Sequence, residues 1–267
     1  MIHTVLTSKR SYDDALVSAV WDDIGAYVTR AEAEAAVDTA AAELSALLGR
    51  QTARARRAVA YGWSGGKDSQ ALRVVCEKAG VVQAVIGLIP PVEWEAYLDW
   101  IGANAPPGLW RFENNTVNLP WLALHPHLVF PATGTLGYWW TLAGTRKAQV
   151  EYTKKVRPPF LIYGRRYQDG NQIRSALGPG LDPALGGGVS YCPLRDWPHE
   201  MVLAVCHYFG MSLPPVYSWP HGWSSGTGAW PGRRPGGWAE TYAIQPGAVV
   251  QAARYMPAAR DFLAGQS

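Results

Sequence analysis

Cysteine is scarce in this chain of 267 residues, and Cys76, Cys192 and Cys206 lie far apart in the sequence. No Cys-x-x-Cys pair occurs, which argues against a zinc site and against an iron–sulfur cluster. The odd, scattered set also argues against a disulfide framework. No uncharged apolar run approaches the length of a membrane span, and residues 1–14 lack the apolar core of a secretion signal. We therefore expect a cytoplasmic protein without a membrane partner.

Charged residues are also few, at 17% of the chain, whereas hydrophobic residues make up 48%. These proportions are typical of a globular protein rather than a disordered one. The net charge of +3 permits a polyanionic partner without requiring one. A local basic cluster is either a solvated connector or a contact to nucleotide phosphate or nucleic acid. Its members are Arg50, Arg54, Arg56 and Arg57.

From residue 58 onward, short apolar segments alternate with helical ones. The pattern predicts strands at 58–61, 81–89, within 109–119 and at 160–163. It predicts helices at 69–79, 93–103, within 138–156 and at 198–209. Such alternation favours a Rossmann-like α/β fold with three α/β/α layers around a mostly parallel sheet. We expect helices before this fold and an irregular, Gly/Pro/Trp-rich region after it.

The segment Tyr61–Gln70 joins a predicted strand to a predicted helix through a glycine turn. This arrangement points backbone N–H groups and the positive end of a helix dipole at an anion. Glycines remove side chains where a phosphate must approach the backbone closely. The spacing differs from that of a Walker A loop, and an aspartate follows the lysine. The segment predicts a phosphate-binding loop made of Ser64, Gly65, Gly66, Lys67, Asp68 and Ser69.

A second polar segment, Gly164-Arg165-Arg166, follows the predicted strand at 160–163, and Arg174 comes eight residues later. Guanidinium groups bind two oxygens of a phosphate, sulfate or carboxylate at once. We predict Arg165 and Arg166 as catalytic residues together with Lys67 and Asp68, and Arg174 as a residue of the substrate side. Asp68 has two open interpretations, a Mg²⁺ ligand beside phosphate oxygens or a helix cap.

The loop Ser64–Ser69 resembles the signature of the PP-loop ATP pyrophosphatase superfamily. Later segments resemble, in order, those of its 3′-phosphoadenylylsulfate (PAPS) reductase-like family: Gly164–Arg166, Pro193–Trp197, Tyr217 and Gly222–Gly226. The resemblance covers roughly residues 55 to 235. It implies a substrate side that includes Trp197, Tyr217, Trp223, Ser224 and Ser225.

The chain departs from that family at one functional residue. PAPS reductases use a cysteine near the C-terminus, and this sequence has none after Cys206. We expect Cys76 and Cys206 to lie in the core, because both fall in apolar helical segments. Cys192, in a loop before Pro193, is the remaining candidate for a reactive thiol.

The resemblance implies an enzyme that binds ATP or PAPS, with Mg²⁺, and activates an unknown acceptor by adenylation with release of pyrophosphate. Two alternatives stay open: a sulfonucleotide reductase that uses Cys192 or a partner's thiol, and a non-catalytic module for a nucleotide or nucleic acid. Self-association also stays open. We predict a helical appendage at 1–50, a nucleotide-binding α/β domain at 51–214, and a loop and tail completing the site at 215–267.

Overall fold

The computed structural model of the protein describes residues 4–6, 13–130, 146–169, 179–182, 188–225, 230 and 237–266. Within these ranges one sheet has the strand order β3-β2-β1-β4-β6-β5. Its strands are β1 (Ala60–Gly62), β2 (Gln83–Leu88), β3 (Gly108–Glu113), β4 (Leu161–Ile162), β5 (Gly180–Asp182) and β6 (Gly188–Tyr191). Neighbouring strands are parallel except for the edge strand β5, which is antiparallel to β6.

Helices precede, connect and follow these strands. Those up to β4 are α1 (Asp14–Asp22), α2 (Arg30–Gly49), α3 (Ala53–Ala58), α4 (Lys67–Lys78), α5 (Glu95–Asn104), α6 (Leu119–Leu124) and α7 (Arg146–Val156). Those after β6 are α8 (His199–Tyr208), α9 (Gly222–Ser225), α10 (Gly237–Ile244), α11 (Pro246–Ala253) and α12 (Pro257–Ala264). No helix in the described ranges is both long and apolar enough to cross a membrane.

Alternate side chains of the central strands enter two separate apolar clusters, as the period of two along a strand requires. Tyr61, Ile86 and Ile162 belong to the large cluster shared with α2, α4 and α8. Ala60, Val85 and Leu161 belong to a smaller cluster, which α7 covers with Ala148 and Tyr152. Helices therefore lie on both faces of the sheet, and the predicted three-layer, Rossmann-like α/β fold is confirmed.

The N-terminal helices are part of this core. A capping box begins α2, because Thr29 accepts from the N–H of Glu32 while the Glu32 carboxylate accepts from the N–H of Thr29. Along α2, Val37 and Leu44 are buried with the sheet residues, and the helix packs against α4 and α8. The predicted domain boundary at residue 50 crosses a continuous apolar cluster, and the division stays a prediction.

Two stretches differ in detail from the sequence expectation. The strand predicted within 109–119 ends at Glu113, because the side chain of Asn114 accepts from the N–H of Thr116 and turns the chain. The region expected to be irregular contains α10, α11 and α12 at 237–264. Pro246 and Pro257 stand in the first turns of α11 and α12, where proline starts a helix rather than breaking it.

The strand order places a switch point between β1 and β4. The chain builds the sheet from β1 through β2 to β3, then crosses over and continues on the other side of β1 with β4. Loops leaving the carboxyl ends of β1 and β4 therefore diverge and leave a crevice, where ligands bind in open α/β sheets. These loops are the predicted phosphate-binding loop and the Gly164–Arg166 segment.

Candidate functional site

The loop after β1 has the geometry of an anion site. Gly65 adopts a left-handed backbone conformation with φ of 70°, which glycine adopts without strain. Gly66 is the N-cap of α4 and makes no side-chain cap hydrogen bond. The first N–H groups of α4, including that of Lys67, thus point out of the end of a helix of 12 residues.

The two serines of the loop have different positions. Ser69 is buried; its hydroxyl accepts from the N–H of Ser64 at 3.1 Å and donates to the carbonyl of Gly66 at 2.9 Å. Ser64 is exposed, and its hydroxyl accepts from the N–H of Gly66 at 3.4 Å. Ser69 therefore closes the loop, whereas Ser64 presents its hydroxyl at the surface of the crevice.

Aromatic side chains from α5 support the loop from the β2 side. The Tyr97 hydroxyl donates to the Ser64 carbonyl at 2.8 Å, and the Trp100 ring stacks on Trp63 with centroids 5.9 Å apart. A Cβ atom at Gly65 would lie 2.3 Å from the Trp100 ring, so this glycine is required by packing as well as by its φ. Sequence reasoning missed the contacts of Tyr97 and Trp100, because helix periodicity gives a buried face but not the loop it meets.

The acidic and basic residues at the start of α4 form an ion pair. The ammonium group of Lys67 lies 2.8 Å from one oxygen of Asp68, and the Lys67 side chain is only 5% exposed. The other oxygen of Asp68 lies 2.9 Å from Nη2 of Arg166. Asp68 is thus held between two cations, and its own side chain is 31% exposed toward the crevice.

Arg166, predicted as a catalytic residue, lies in the interior with no exposed side-chain surface. Besides Asp68, its Nη2 contacts the Asp169 carboxylate at 2.9 Å and Nδ1 of His199 at 2.8 Å. Its Nη1 donates to the Trp197 carbonyl at 3.3 Å. Because a guanidinium group only donates, Nδ1 of His199 accepts, and a neutral His199 ring carries its proton on Nε2. The geometry gives Arg166 the position of a buried brace between the loop and α8.

Gly164 permits this bracing. A Cβ atom at Gly164 would lie 2.8 Å from the carbonyl oxygen of Asp68, so the segment after β4 approaches α4 as closely as only glycine allows. Arg165 is half-buried, and its guanidinium group lies 4.5 Å from the centre of the Tyr163 ring. Arg165 therefore turns toward Tyr163, whereas Arg166 faces the interior. Arg174 lies outside the described residues.

The later predicted residues separate into two groups. The Tyr217 hydroxyl accepts from the N–H of Lys67 at 3.0 Å and so lies at the amino end of α4. Trp223 packs against Tyr217 with centroids 4.7 Å apart and donates from Nε1 to the Ser18 hydroxyl. Ser224 donates from its N–H and its hydroxyl to the Asp14 carboxylate, each at 2.9 Å. Trp223 and Ser224 thus fasten the Tyr217 segment to α1.

The remaining two predicted residues lie elsewhere. Ser225 ends the short helix α9. Trp197 is half-buried and lines a cleft of about 340 Å³ between α2 and the 193–197 segment, together with Glu43 and Arg195. This cleft lies against α2, whereas the phosphate-binding loop lies between the ends of β1 and β4.

All three cysteines are buried and unpaired by disulfides. Cys76 and Cys206 belong to the large apolar cluster, as predicted. The Cys206 thiol donates to the Lys67 carbonyl at 3.2 Å, and burial raises its pKa to about 12. Cys192 is 6% exposed, so its thiol does not stand open in the crevice.

A buried carboxylate, not singled out from the sequence, follows the carboxyl end of β2. Glu93 is 7% exposed and accepts from the N–H of Ile89 at 2.9 Å. Burial raises the pKa of Glu93 to about 7, against the smaller opposing effects of that hydrogen bond and of Arg111, while Glu113 raises it further. The same segment leads into α5 and thus to Tyr97, which contacts the loop. The sequence shows only that Glu93 is a charged residue, and charge alone does not indicate that the side chain is buried.

Within the described residues, no group of three or more His, Cys, Asp or Glu side chains is placed to hold a metal ion. A Mg²⁺ ion that binds with a nucleotide needs only one or two carboxylates beside phosphate oxygens and water. Asp68 fits that requirement, because it is partly exposed at the amino end of α4. The Mg²⁺ role of Asp68 stays a prediction.

No family model and no curated protein matches this chain. Solved structures similar to it include a PAPS reductase from Candida auris in a phosphate complex, at 11% identity and a TM-score of 0.49, covering 72% of this chain and 92% of that one. An FMN adenylyltransferase from Candida glabrata in complex with ATP is similar at 12% identity and a TM-score of 0.46, covering 72% of this chain and 62% of that one. The U34-tRNA thiolase NcsA from Methanococcus maripaludis is similar at 15% identity and a TM-score of 0.40, covering 83% and 78%. The fold assignment rests on the sheet order and its two helical layers.

Replacing Arg166 tests its role as a buried brace. Arg166→Met should lower the free energy of unfolding by about 3–5 kcal/mol, because it leaves the largely buried Asp169 carboxylate without its cation. The neighbouring substitution Arg165→Met removes a half-exposed cation–π contact and should lower it by about 1 kcal/mol or less. Urea unfolding followed by tryptophan fluorescence gives both values, and similar small losses in the two variants would contradict the brace.

Glu93 should make stability depend on pH. Between its ordinary pKa of 4.5 and its folded value of about 7, Glu93 is protonated when folded and ionised when unfolded, so the protein loses stability as the pH rises through this window. Glu93→Gln keeps an acceptor for the Ile89 N–H and does not ionise. Relative to wild type, the variant should therefore gain stability between pH 5 and pH 8, by about 3 kcal/mol at most. Urea unfolding at both pH values checks this, and a difference that does not change with pH would disprove the assignment.

Proposed function

We propose that this protein is an ATP-dependent enzyme that activates an acceptor by adenylyl transfer. The observation that carries the proposal is the amino end of α4 at the switch point between β1 and β4, where Lys67 lies in the first turn and Arg165 follows the neighbouring strand. Backbone N–H donors, a helix dipole and cations at one crevice suit a nucleotide polyphosphate. The similar structures include a protein in complex with ATP and one in a phosphate complex, which agrees with this choice of ligand.

The loop offers specific atoms for the pyrophosphate end of ATP. In the structure the Tyr217 hydroxyl accepts a hydrogen bond from the Lys67 N–H. Phosphate oxygens accept hydrogen bonds from such N–H groups at the amino ends of helices. A bound phosphate would take over that N–H, together with those of Gly65 and Gly66, and the exposed Ser64 hydroxyl would donate to it. Lys67, now paired with Asp68, would turn its charge to the phosphate while Asp68 keeps its contact with Arg166.

The proposed reaction is a substitution at the α-phosphorus. An oxygen of the acceptor forms a bond to that phosphorus, the bond to the bridging α,β-oxygen breaks, and pyrophosphate leaves with the electron pair of that bond. The negative charge that builds up on the leaving group lies at the helix amino end and Lys67, which stabilise it where it develops. Arg165, on the segment after β4, would contact the α-phosphate or an anionic acceptor.

Mg²⁺ would neutralise phosphate charge in this arrangement, with Asp68 as its protein ligand. The proposal does not include reduction of a sulfonucleotide by a thiol of this chain. Thiolate attack needs an ionised thiol that reaches the substrate. Cys76, Cys192 and Cys206 are all buried, and burial raises the pKa values of Cys76 and Cys206.

Calorimetric titration with ATP and Mg²⁺ tests the binding half of the proposal. Lys67→Ala should weaken ATP binding about 10- to 150-fold, the loss expected for a charge-assisted contact of about 1.5–3 kcal/mol. Lys78→Ala is the matched control, because Lys78 ends the same helix and pairs with Asp38 on the surface. Equal ATP affinities for Lys67→Ala and wild type would contradict the proposal.

The products of turnover identify the bond that breaks. With ATP labelled at the α-phosphate and a pool of carboxylate and amide acceptors, we expect AMP or an adenylylated acceptor together with pyrophosphate. Formation of ADP and inorganic phosphate would instead show attack at the γ-phosphorus and would contradict adenylyl transfer.

A further inference from the structure

The basic cluster noted in the sequence lies on an exposed surface. Arg50 follows α2, and Arg54, Arg56 and Arg57 lie on α3, all of them exposed. The other residues of α3 are alanines, so this helix carries no large apolar side chain.

A second set of cations comes from a distant part of the chain. Lys154 and Lys155 lie in the last turn of α7, and Arg157 follows that helix; all three are exposed. Strands β1 and β4 are parallel neighbours, with Ala60 opposite Leu161. The segments that lead into them therefore arrive side by side at the amino edge of the sheet, about one strand spacing of 4.8 Å apart.

A direct hydrogen bond joins the two segments. The Tyr152 hydroxyl of α7 donates to the carbonyl of Ala58, the last residue of α3, at 3.1 Å. The exposed cations of α3 and of the α7 end thus form one surface, which we call the amino-edge basic surface. It consists of Arg50, Arg54, Arg56, Arg57, Lys155 and Arg157.

The six cations of this surface are not in direct contact with carboxylates in the described residues. None of its six members forms a side-chain ion pair in the described part of the chain, whereas the adjacent Lys154 pairs with Glu151 at 3.4 Å. Cations elsewhere are commonly paired, as in Arg73 with Glu77 at 2.7 Å. Uncompensated charges of one sign produce a local potential that attracts a polyanion.

Helix stability does not explain the whole set. Basic residues in the last turn of a helix favour the dipole by about 0.3–1 kcal/mol each, which accounts for Arg56, Arg57 and Lys155. Arg54 lies in the first turn of α3, where a cation is unfavourable for the same reason. The surface also lies at the edge of the sheet opposite the phosphate-binding loop, so it does not serve the nucleotide of that loop.

We propose that the amino-edge basic surface binds the phosphate backbone of a nucleic acid. Five of its six members are arginines, and guanidinium forks pair with two phosphate oxygens at once. Because the cations lie on two adjoining segments, one strand could contact both sets through several of its phosphates. A membrane-surface segment would also present large apolar side chains, and alanines stand between the arginines of α3.

Fluorescence anisotropy of the full chain with labelled 20-nucleotide single strands and 20-base-pair duplexes tests the proposal. Six phosphate contacts predict a slope near −4 for the logarithm of the single-strand affinity against the logarithm of salt concentration. Arg54→Glu/Arg57→Glu and, separately, Lys155→Glu/Arg157→Glu should each weaken binding by at least about tenfold at 0.1 M salt and make the slope shallower by about 1.4. Arg254→Glu/Arg260→Glu changes the net charge equally on the exposed C-terminal helices and should keep the wild-type slope.

Several outcomes would overturn the proposal. If either amino-edge double variant bound nucleic acid as tightly as wild type, the two segments would not act as one surface. If the control double variant lost as much affinity as the amino-edge variants, the effect would be one of net charge alone. Binding to vesicles with anionic lipid but not to oligonucleotides would assign the surface to a membrane. Because both amino-edge pairs should keep the wild-type affinity for ATP, calorimetry with ATP separates failure of this proposal from failure of the proposed enzyme function.

Discussion

The buried guanidinium group of Arg166 is the interaction on which the geometry of the site depends. It joins the first turn of α4 through Asp68 to the segment after β4 through Asp169 and to α8 through His199. A buried cation is unfavourable unless its partners are in place, so these three elements hold one another in a single arrangement. Gly164 allows the close approach that this arrangement needs. These contacts of Arg166 therefore fix the position of the phosphate-binding loop.

Above that base, the loop is shaped by contacts from both sides. Tyr97 and Trp100 of α5 support its outer turn, and the Tyr217 hydroxyl lies at the amino end of α4. Tyr217 in turn depends on α1, because Trp223 and Ser224 bind Ser18 and Asp14. The N-terminal helices thus reach the candidate site through the segment that carries Tyr217. A bound phosphate would have to replace the Tyr217 hydroxyl as acceptor of the Lys67 N–H, or share that N–H with it. Nucleotide binding is therefore coupled to the segment that carries Tyr217.

Local patterns predicted a strand at 58–61, a loop at 64–69, a helix at 69–79 and a mostly parallel sheet, because period, glycine placement and helix starts are recorded in neighbouring residues. The structure begins the strand at Ala60 and the helix at Lys67. The local patterns also led to the prediction of Arg166 as a catalytic residue, and an arginine after a strand gives no sign of which way its side chain turns. Asp169 is only three residues from Arg166, but the other partners of Arg166, Asp68 and His199, come from α4 and α8. The helices at 237–264 were missed because their prolines also suit loops. The joining of α3 to the end of α7 depends on the crossover that makes β1 and β4 neighbours, which residue patterns do not specify.

Nucleotide binding at the braced loop is the central claim, and amide resonances measured during a titration with ATP and Mg²⁺ test it most directly. We expect the N–H signals of Gly65, Gly66 and Lys67 to shift together and saturate. The Lys67 signal should change most, because its hydrogen bond passes from the Tyr217 hydroxyl to a phosphate oxygen. Saturable shifts confined to other parts of the protein, with these three signals unmoved, would contradict it.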